Sequence, residues 1–433
     1  MENLVSRNGG LHGNRCKGHH PPMASLCEIP DWVKHEHLVA EILQQQQEHG
    51  WYFDERAAWK ITSALEEELR QISDLLQQRH PFVKGSEFTP ARPNATRGYV
   101  KGATFTKLTP LNPSSRDHIA WILQTKHGWK PTAKTASGKV QIDETVLSKL
   151  DNETATMFLR CLTIRKILGM MSHGVNAWLK LSTNNRLHHH CSVGCVTFRH
   201  SHKSPNLAQV PSDSQYRALF KATPGMVLAA ADLAGIELRL LSHYLARYDG
   251  GRYASILLDG DIHQVNADKV GVTRNQIKRI TYAFLYSAGN QKLGLCFDEK
   301  LSPEMAKRKG QEIRDAYVAA IPGLDKLLAA VKKTSASGSI KAIDGRRIFL
   351  DHPRKGLNSL LQGSSAVLAK RWMTITHDTL KEINVEAHQL GFIHDELQFE
   401  TYPPHANDVC TSLVHAAAAA GEFYNLRVRI DAE

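Results

Sequence analysis

Two groups of acidic residues, far apart in the chain, each lie where a β-strand is predicted to end. Asp232 follows the apolar run 227–231, and Gly235 then lets the backbone turn into a segment with leucines at helical spacing. Asp395 and Glu396 separate two short apolar runs, a pattern typical of a hairpin with Asp395 at its turn. A single aspartate in such a place is typical of a helix N-cap. Two such turns side by side would instead hold two hard divalent cations, as two-metal phosphoryl transfer requires.

A third segment, between the two acidic groups, carries cations and aromatic rings four residues apart. Arg274, Lys278, Tyr282 and Tyr286 would form one stripe on a helix, because a step of four residues turns the helix by about 400°. Such a stripe could bind a nucleotide, with positive charge for the triphosphate and flat surface for the sugar and base. The same spacing is equally typical of an amphipathic helix with solvated cations and packed tyrosines, and the spacing alone does not separate the two.

A segment rich in histidine and cysteine precedes the first acidic group. Its composition is compatible with a zinc site that would draw ligands from His188, His189, His190, Cys191, Cys195, His200 and His202. The Cys-x3-Cys spacing is not a strong zinc signature, so we favour a metal-free structure for this segment.

These residues require a scaffold, and the sequence predicts both helices and strands for it. Residues 1–28 are rich in Gly, His, Asn and Ser and are predicted to lack fixed structure. Four prolines predict a loop at 80–110. Apolar spacing and turn residues predict helices at 32–47, 116–127, 152–171, 301–335 and 404–420, a hairpin turn at 344–345, and a half-buried strand at 426–430.

Composition indicates a globular protein with a polyanionic partner. The chain has 433 residues, of which 42% are hydrophobic, so it can bury a large core in two or three subdomains. Lys and Arg total 54 against 43 for Asp and Glu, and the net charge of +11 suits nucleic acid. No apolar run approaches the roughly 20 residues that a membrane span needs. The seven scattered cysteines and the absence of an apolar leader indicate a cytoplasmic protein without a membrane partner.

Three motifs, in this order and at this separation, resemble those of the family A DNA polymerases. The sequence DLAGIELR at 232–239 resembles motif A, and HDE at 394–396 resembles motif C. The Arg-Lys-Tyr-Tyr stripe between them, at 274–286, resembles motif B. The resemblance extends from about residue 50 to the end of the chain. Within the family, the sequence is most similar to the replicative enzymes of short-tailed T-odd phages.

The resemblance implies an α+β fold with right-hand polymerase architecture: a palm with an antiparallel sheet, helical fingers and a helical thumb. The implied boundaries are 1–50 for an N-terminal extension, 51–175 for the thumb and its lead-in helices, 176–250 and 341–433 for the palm, and 251–340 for the fingers. About 50 residues precede the thumb, and we expect no exonuclease domain among them. The chain ends at Glu433, before a terminal segment that relatives carry near the active site.

The resemblance also implies the reaction and its metal ions. Asp232 and Asp395 would hold two Mg²⁺ ions, with the backbone carbonyl of Leu233 as a further ligand, and Lys278 would be the general acid for pyrophosphate. Arg274 and His263 would bind the outer phosphates of the incoming dNTP.

Other residues would select the sugar and hold the DNA. Glu237 and Tyr286 would hydrogen-bond and exclude a ribose 2′-hydroxyl, and Tyr282 resembles the phage form that tolerates nucleotides lacking a 3′-hydroxyl. The residues implied in contacts with primer-template DNA are Arg199, Asn206, Gln209, Arg217, Arg354, Asn358, Gln362, His394 and Glu396.

Two positions differ from the family pattern. Phe198 and Ser287 stand where the family has glycine. A side chain at these positions removes the backbone freedom that glycine would give.

We therefore expect a monomeric, template-directed DNA polymerase. The alternative is an impaired remnant that binds primer-template DNA without extending it. A metal-dependent nuclease would share the paired carboxylates but leaves the Arg-Lys-Tyr-Tyr stripe unexplained. The short segment 80–110 gives no indication of a processivity partner, and a separate exonuclease or processivity partner stays open.

Overall fold

The structure is a computed structural model that describes residues 29–131, 133–135 and 137–433. Helices and antiparallel strands are mixed along the chain, in agreement with the predicted α+β class. The segment 1–28, predicted to lack fixed structure, lies outside the described residues. Among the helices of the described ranges, none combines the length and the apolar character needed to cross a lipid bilayer.

The first described elements are two helices separated by a short strand. Helix α1 (Asp31–His49) ends at Gly50, whose φ of 69° breaks the helical path. Strand β1 (Trp51–Phe53) follows, and the carboxylate of Asp54 then caps the first turn of α2 (Glu55–Arg79). Helix α1 was predicted at 32–47, because its apolar residues recur at helical spacing.

The loop predicted at 80–110 is wrong, since most of this segment forms a hairpin. Strands β2 (Phe82–Phe88) and β3 (Phe105–Pro110) pair antiparallel. The four prolines lie at or outside the strand ends, where a missing amide proton does not interrupt the ladder. Phe88 and Phe105 face each other across the strands with ring centroids 6.0 Å apart. This cross-strand aromatic pair stabilises the hairpin. The prolines nearby made the segment resemble a loop, so the pair was not recognised in the sequence.

Short elements connect this hairpin to the centre of the molecule. They are α3 (Arg116–His127), α4 (Glu144–Leu147), α5 (Glu153–Leu168), α6 (Trp178–Leu181), β4 (Arg186–Leu187), β5 (His190–Val193), β6 (His200–Lys203), α7 (Ser214–Arg217) and β7 (Phe220–Lys221). A π-helical turn, Gly169–His173, continues α5 over the rest of its predicted length. Strands β4, β1 and β7 form one small sheet, and β5 pairs with β6 in a separate hairpin.

The next part of the chain is mostly helical. It contains β8 (Val227–Asp232), α8 (Ile236–Asp249), α9 (Arg252–Asp259), α10 (Ile262–Val270), α11 (Arg274–Leu285), α12 (Asn290–Phe297), α13 (Pro303–Ala320), α14 (Leu324–Ser335), β9 (Ser339–Lys341) and β10 (Arg347–Phe349). The turn predicted at 344–345 joins β9 and β10, which pair antiparallel. Gly235, with a φ of 54°, makes the predicted turn from β8 into α8.

A central sheet of three strands completes the fold. The last elements are α15 (Gly356–Glu382), β11 (Ala387–Ile393), β12 (Glu396–Thr401) and α16 (Ala406–Phe423). The strand order is β11-β12-β8, with both pairs antiparallel. Small side chains meet where α16 packs on β8, since Ala229 and Ala231 of the strand and Ala416 and Ala417 of the helix are all buried. Small residues on both surfaces let the helix approach the sheet closely.

The strand predicted at 426–430 is wrong. Val428 and Ile430 are buried, as their alternation indicated, but this segment is irregular and has no strand partner. The C-terminal segment pairs with the residues next to β8 only beyond residue 430, through an isolated antiparallel bridge between Leu233 and Ala432. Burial alone therefore produced the alternating pattern, because the residues pack on the core without a ladder of backbone hydrogen bonds.

Candidate active site at the edge of the central sheet

The register of the central sheet brings the two predicted acidic groups together. Asp232 is the last residue of β8, and it pairs directly with Glu396, the first residue of β12. Asp395 lies in the two-residue turn between β11 and β12, as the sequence predicted. The amide of Leu233 donates a hydrogen bond of 2.9 Å to the carbonyl of Asp395. Three carboxylates from distant parts of the sequence therefore share one edge of the sheet.

Negative charge at this edge is poorly compensated. Burial, together with the charges of Asp232 and Glu237, raises the pKa of Asp395 to about 6 against the opposing effect of Arg199. Burial and the charge of Glu396 likewise raise the pKa of Asp232. Carboxylates held in this way attract a hard divalent cation, since oxygen ligands and unbalanced negative charge are what Mg²⁺ prefers.

The last described residues lie against the same edge. The backbone of Asp232 exchanges hydrogen bonds of 2.9 and 3.0 Å with that of Glu433. Arg239 of α8 forms a salt bridge of 2.8 Å with Asp431, which fastens this segment to the helix. We did not anticipate this contact, because the two groups are almost two hundred positions apart and neither has a local sequence signal.

Helix α11 presents the predicted stripe of cations and rings. Thr273 caps the helix, Arg274 and Lys278 are exposed, and Tyr282 is half-buried. Arg274 donates to the carboxylate of Asp261 at 2.6 Å, so its guanidinium is already paired. The sequence did not reveal this partner.

His263 of α10 lies beside the stripe. Its ring centroid is 6.3 Å from that of Tyr282. Burial lowers the pKa of His263, and the neighbouring charges of Arg274 and Lys278 lower it further. The imidazole is therefore predominantly neutral near pH 7, and its buried Nδ1 has no hydrogen-bond partner in the described residues.

A chain of polar contacts links α11 to the acidic edge. The hydroxyl of Tyr286 donates to Glu237 at 3.0 Å, and Arg199 donates to the same carboxylate oxygen at 2.9 Å. Burial and the charge of Glu237 raise the pKa of Tyr286 to about 12. The hydrogen bond between Tyr286 and Glu237 is the one that the sequence led us to expect. The ion pair of Arg199 with Glu237 was not expected, since the sequence implied a contact with DNA for Arg199.

Phe198 and Ser287 both adopt the backbone conformation that favours glycine. Their φ angles are 63° and 59°. A non-glycine residue in this region costs about 1–2 kcal/mol. The ring of Phe198 lies 5.0 Å from the guanidinium of Arg346, which also stacks 5.1 Å from the ring of Trp32. The added bulk of Phe198 therefore makes favourable contacts that partly offset its strain.

The residues predicted to hold DNA surround the acidic edge in two sets. In the first set, Asn206 accepts a hydrogen bond of 3.1 Å from the amide of Ala208, so its side chain also caps a short helix. Gln209 and Arg217 are exposed. His394 is exposed in the same turn as Asp395, with a φ of 64°.

The second set follows the start of α15. Arg354 is exposed in the 3₁₀ turn Pro353–Lys355, and Asn358 and Gln362 are half-buried on the helix. The residues between them on the helix are mostly buried, so Asn358 and Gln362 mark its open face. A cavity of about 1050 Å³ lies at the start of this helix, and its lining includes Ser287, Lys307, Arg314, Lys332 and Arg354.

Comparison with known proteins places the chain among polymerases. Residues 99–433 match the family described as DNA polymerase family A. The chain is 31% identical over 387 residues to the DNA-directed DNA polymerase of Enterobacteria phage T3, and the match covers 78% of this chain and 54% of the phage protein. The polymerase of Escherichia phage T7 is 31% identical over 384 residues with the same coverage. The chain therefore spans about half the length of these relatives.

A bacterial relative and a solved structure agree with this assignment. DNA polymerase I of Pseudomonas aeruginosa is 28% identical over 337 residues, covering 70% of this chain and 36% of that protein. The fold is similar to the POL domain of Pol1 from M. smegmatis, solved in complex with DNA primer-template and dNTP. That match has a TM-score of 0.73 and 20% identity, and it covers 92% of this chain and 68% of the other. The right-hand α+β architecture that the sequence implied is thereby confirmed.

Proposed function

The chain belongs to DNA polymerase family A, and from this we propose that it is a template-directed DNA polymerase that adds dNTPs to the 3′-hydroxyl of a primer. The observation that carries the proposal is the convergence of Asp232 and Asp395 at one sheet edge, with Tyr286 of α11 hydrogen-bonded to Glu237 beside them. Primer-template DNA and dNTPs would be its partners in the reaction. We assign 51–175 to the thumb, 176–250 and 341–433 to the palm, and 251–340 to the fingers.

The acidic edge would hold two Mg²⁺ ions. Asp232 and Asp395 would be the carboxylate ligands, and the carbonyl of Leu233 would add a third oxygen. The donors fit the ion, because all are hard oxygen ligands. The raised pKa of both carboxyls reflects burial first and charge repulsion second, and a cation would offset both. When bound, the ions would lower the pKa of the primer hydroxyl and stabilise charge on the leaving pyrophosphate.

The side chains of α10 and α11 would bind the triphosphate. Arg274 would have to exchange its partner Asp261 for phosphate, a substitution of one anionic oxygen for another. Neutral His263 would hydrogen-bond a phosphate oxygen without adding charge. Lys278, exposed on the same stripe, would donate a proton to the departing pyrophosphate.

Glu237 and Tyr286 would select the sugar. Their hydrogen bond fixes the tyrosine ring against α8, and the closed space would exclude a ribose 2′-hydroxyl. Arg199 strengthens the arrangement, because it donates to the same carboxylate oxygen of Glu237. Tyr282 would pack on the nucleotide between this pair and His263.

The two sets of polar residues around the edge would hold the DNA. Asn358 and Gln362 would contact the primer-template from the open face of α15, and Glu396 would assist near the primer terminus. The basic cavity beside Ser287 would take the single-stranded template, since cations and an open groove suit a phosphate backbone.

A second candidate function is an impaired polymerase that binds primer-template DNA without extending it. The observation that favours it is the strained backbone at Phe198 and Ser287, two positions beside the proposed nucleotide site. Both candidates predict DNA binding that weakens steeply as salt concentration rises, because the contacts are largely with phosphates. Only the first predicts primer extension.

Primer extension separates the two. A labelled primer-template is incubated with Mg²⁺ and dNTPs, with the parent protein and with Asp232→Asn prepared in parallel. Extension by the parent and none by the variant supports the polymerase. DNA binding by both without extension by either supports the impaired form. Extension by both would show that Asp232 is not a ligand or that the preparation contains another polymerase.

A further inference from the structure

Three potential metal ligands lie together on one face of the β5–β6 hairpin, and none of them is a residue of the acidic edge. His189 and Cys191 are two positions apart, so their side chains project to the same side of the strand. His202 of β6 is the direct cross-strand partner of Cys191. One ligand atom from each of the three residues lies within 4.8 Å of the others.

The cluster is enclosed but short of hydrogen-bond partners. His189 is 0% exposed and His202 7% exposed. Within the cluster, Cys191 Sγ lies 3.3 Å from His202 Nδ1. In the described residues, His189 Nδ1 and His202 Nε2 are buried without a partner. They are the ring atoms opposite His189 Nε2 and His202 Nδ1, the two nitrogens that face the other polar groups of the cluster.

Gln46 of α1 supplies a fourth group. Its side chain is buried, and its amide Nε2 lies 3.3 Å from His189 Nε2 and 3.6 Å from Cys191 Sγ. The amide oxygen accepts a hydrogen bond of 2.8 Å from Gln389. Gln389 Oε1, in turn, is buried and has no partner in the described part of the chain. Rotating both amides by half a turn keeps their mutual hydrogen bond, satisfies Gln389 Oε1 and turns Gln46 Oε1 toward the cluster.

We propose that His189, Cys191 and His202, with Gln46 Oε1 as the fourth ligand, bind one Zn²⁺ ion. Zinc prefers nitrogen and sulfur ligands in a tetrahedron, with bonds of about 2.0–2.1 Å to nitrogen and about 2.3 Å to sulfur, which separates neighbouring ligands by roughly 3.3–3.6 Å. The spacings of 3.3, 3.3 and 3.6 Å within the cluster match that range. Cys191 would bind as the thiolate, and its proton would pass to solvent.

The donor set argues against other ions. None of the four side chains is a carboxylate, so Mg²⁺ and Ca²⁺ lack the oxygen ligands that they require. Cys195, the other cysteine of this segment, is exposed and does not belong to the cluster. The proposed site therefore uses three of the residues in the segment that composition had suggested, and it adds Gln46 from outside that segment.

The position of the ion gives it a structural role. It would join α1 to both strands of the hairpin that leads to Phe198 and Arg199. His202 also lies against the turn of the acidic edge, with its ring centroid 5.9 Å from that of His394. A bound ion would hold this hairpin in place independently of the reaction, so the proposal does not rest on polymerase activity.

Metal analysis of the purified full-length chain tests the proposal. The protein is expressed with zinc in the medium, purified without a metal-affinity step and analysed for Zn, Cu, Ni, Co and Fe. We expect one Zn²⁺ per chain in the parent and a loss of nearly all of it in Cys191→Ser and in His202→Gln. Cys195→Ser is the matched control, because it removes an exposed thiol from the same segment and should retain the ion.

Cobalt exchange provides a second measurement that does not depend on a variant. Chelated parent protein is titrated with Co²⁺, and a thiolate-to-cobalt absorption band that saturates at one equivalent supports the site. That band should be absent in Cys191→Ser, whose fold is checked by circular dichroism. Parent protein that carries no zinc and gives no such band, or Cys191→Ser that keeps the parent's zinc content, would overturn the proposal.

Discussion

Replacing Asp395 by asparagine should stabilise the metal-free protein while it abolishes primer extension. The pKa of Asp395 is raised from 3.8 to about 6, because the carboxyl is partly buried beside Asp232 and Glu237. The folded protein therefore binds this proton more tightly than the unfolded chain does. Its stability falls as the pH rises from about 4 to about 6, and the full penalty of the charge is present above pH 6.

The size of the effect follows from the shift in the pKa. A difference of about two pKa units corresponds to about 3 kcal/mol at 1.36 kcal/mol per unit. Asp395 is partly exposed, so water screens some of the repulsion, and we expect a gain of about 1–2 kcal/mol at pH 8. At pH 4 the carboxyl is protonated in the folded parent and about 40% protonated in the unfolded chain, so most of the penalty is absent and the two proteins should differ by less than about 0.5 kcal/mol.

Urea denaturation in EDTA at pH 8 and at pH 4 measures both expectations. The matched control is Asp151→Asn, which neutralises an exposed aspartate in the loop before α5 and should leave the free energy of unfolding unchanged. Mg²⁺ should stabilise the parent but not Asp395→Asn, because a ligand that binds only the folded state shifts the equilibrium in proportion to its binding. A variant that is less stable than the parent at pH 8, or equally responsive to Mg²⁺, would refute the reasoning.

Three further expectations concern the neighbouring residues. Ser287→Gly should raise the free energy of unfolding by about 1 kcal/mol in urea denaturation, because glycine relieves a φ of 59°. Phe198→Gly should instead lower the free energy of unfolding by about 1–2 kcal/mol in the same assay, because the loss of stacking on Arg346 and of core contacts outweighs the relieved strain. A higher free energy of unfolding in this variant would show that the ring contributes little to stability. Glu237→Ala should raise the incorporation of rNTPs relative to dNTPs by about tenfold, equivalent to about 1.4 kcal/mol, in single-nucleotide extension. It should also lower the pKa of Tyr286 from about 12 in a spectroscopic titration, and an unchanged value would contradict the contact.

Local patterns in the sequence were sufficient for most elements of the fold. Helical spacing predicted α1, α3 and α16 to within a few residues, because one face of each helix must be apolar to pack on the core. The turn at Gly235 and the hairpin at Asp395 were also predicted, since glycine and short polar turns between apolar runs have few structural alternatives.

The errors arose where a local pattern has two structural explanations. Prolines indicated a loop at 80–110, but they only border the strands of a hairpin. Alternating apolar residues indicated a strand at 426–430, but burial against a core produces the same alternation without a pairing partner. Neither case can be decided without knowing what lies next to the segment.

The sequence by itself determined the types and the order of the residues at the acidic edge. Metal binding needs paired carboxylates and phosphate binding needs cations, so few residue types can fill these positions. Only the tertiary structure decided their partners. Glu237 binds both Arg199 and Tyr286, and Gln46 of α1 reaches the histidines of a distant hairpin. Such contacts join residues tens to hundreds of positions apart, and they depend on sheet register and helix packing, which are properties of the whole folded chain rather than of any local segment.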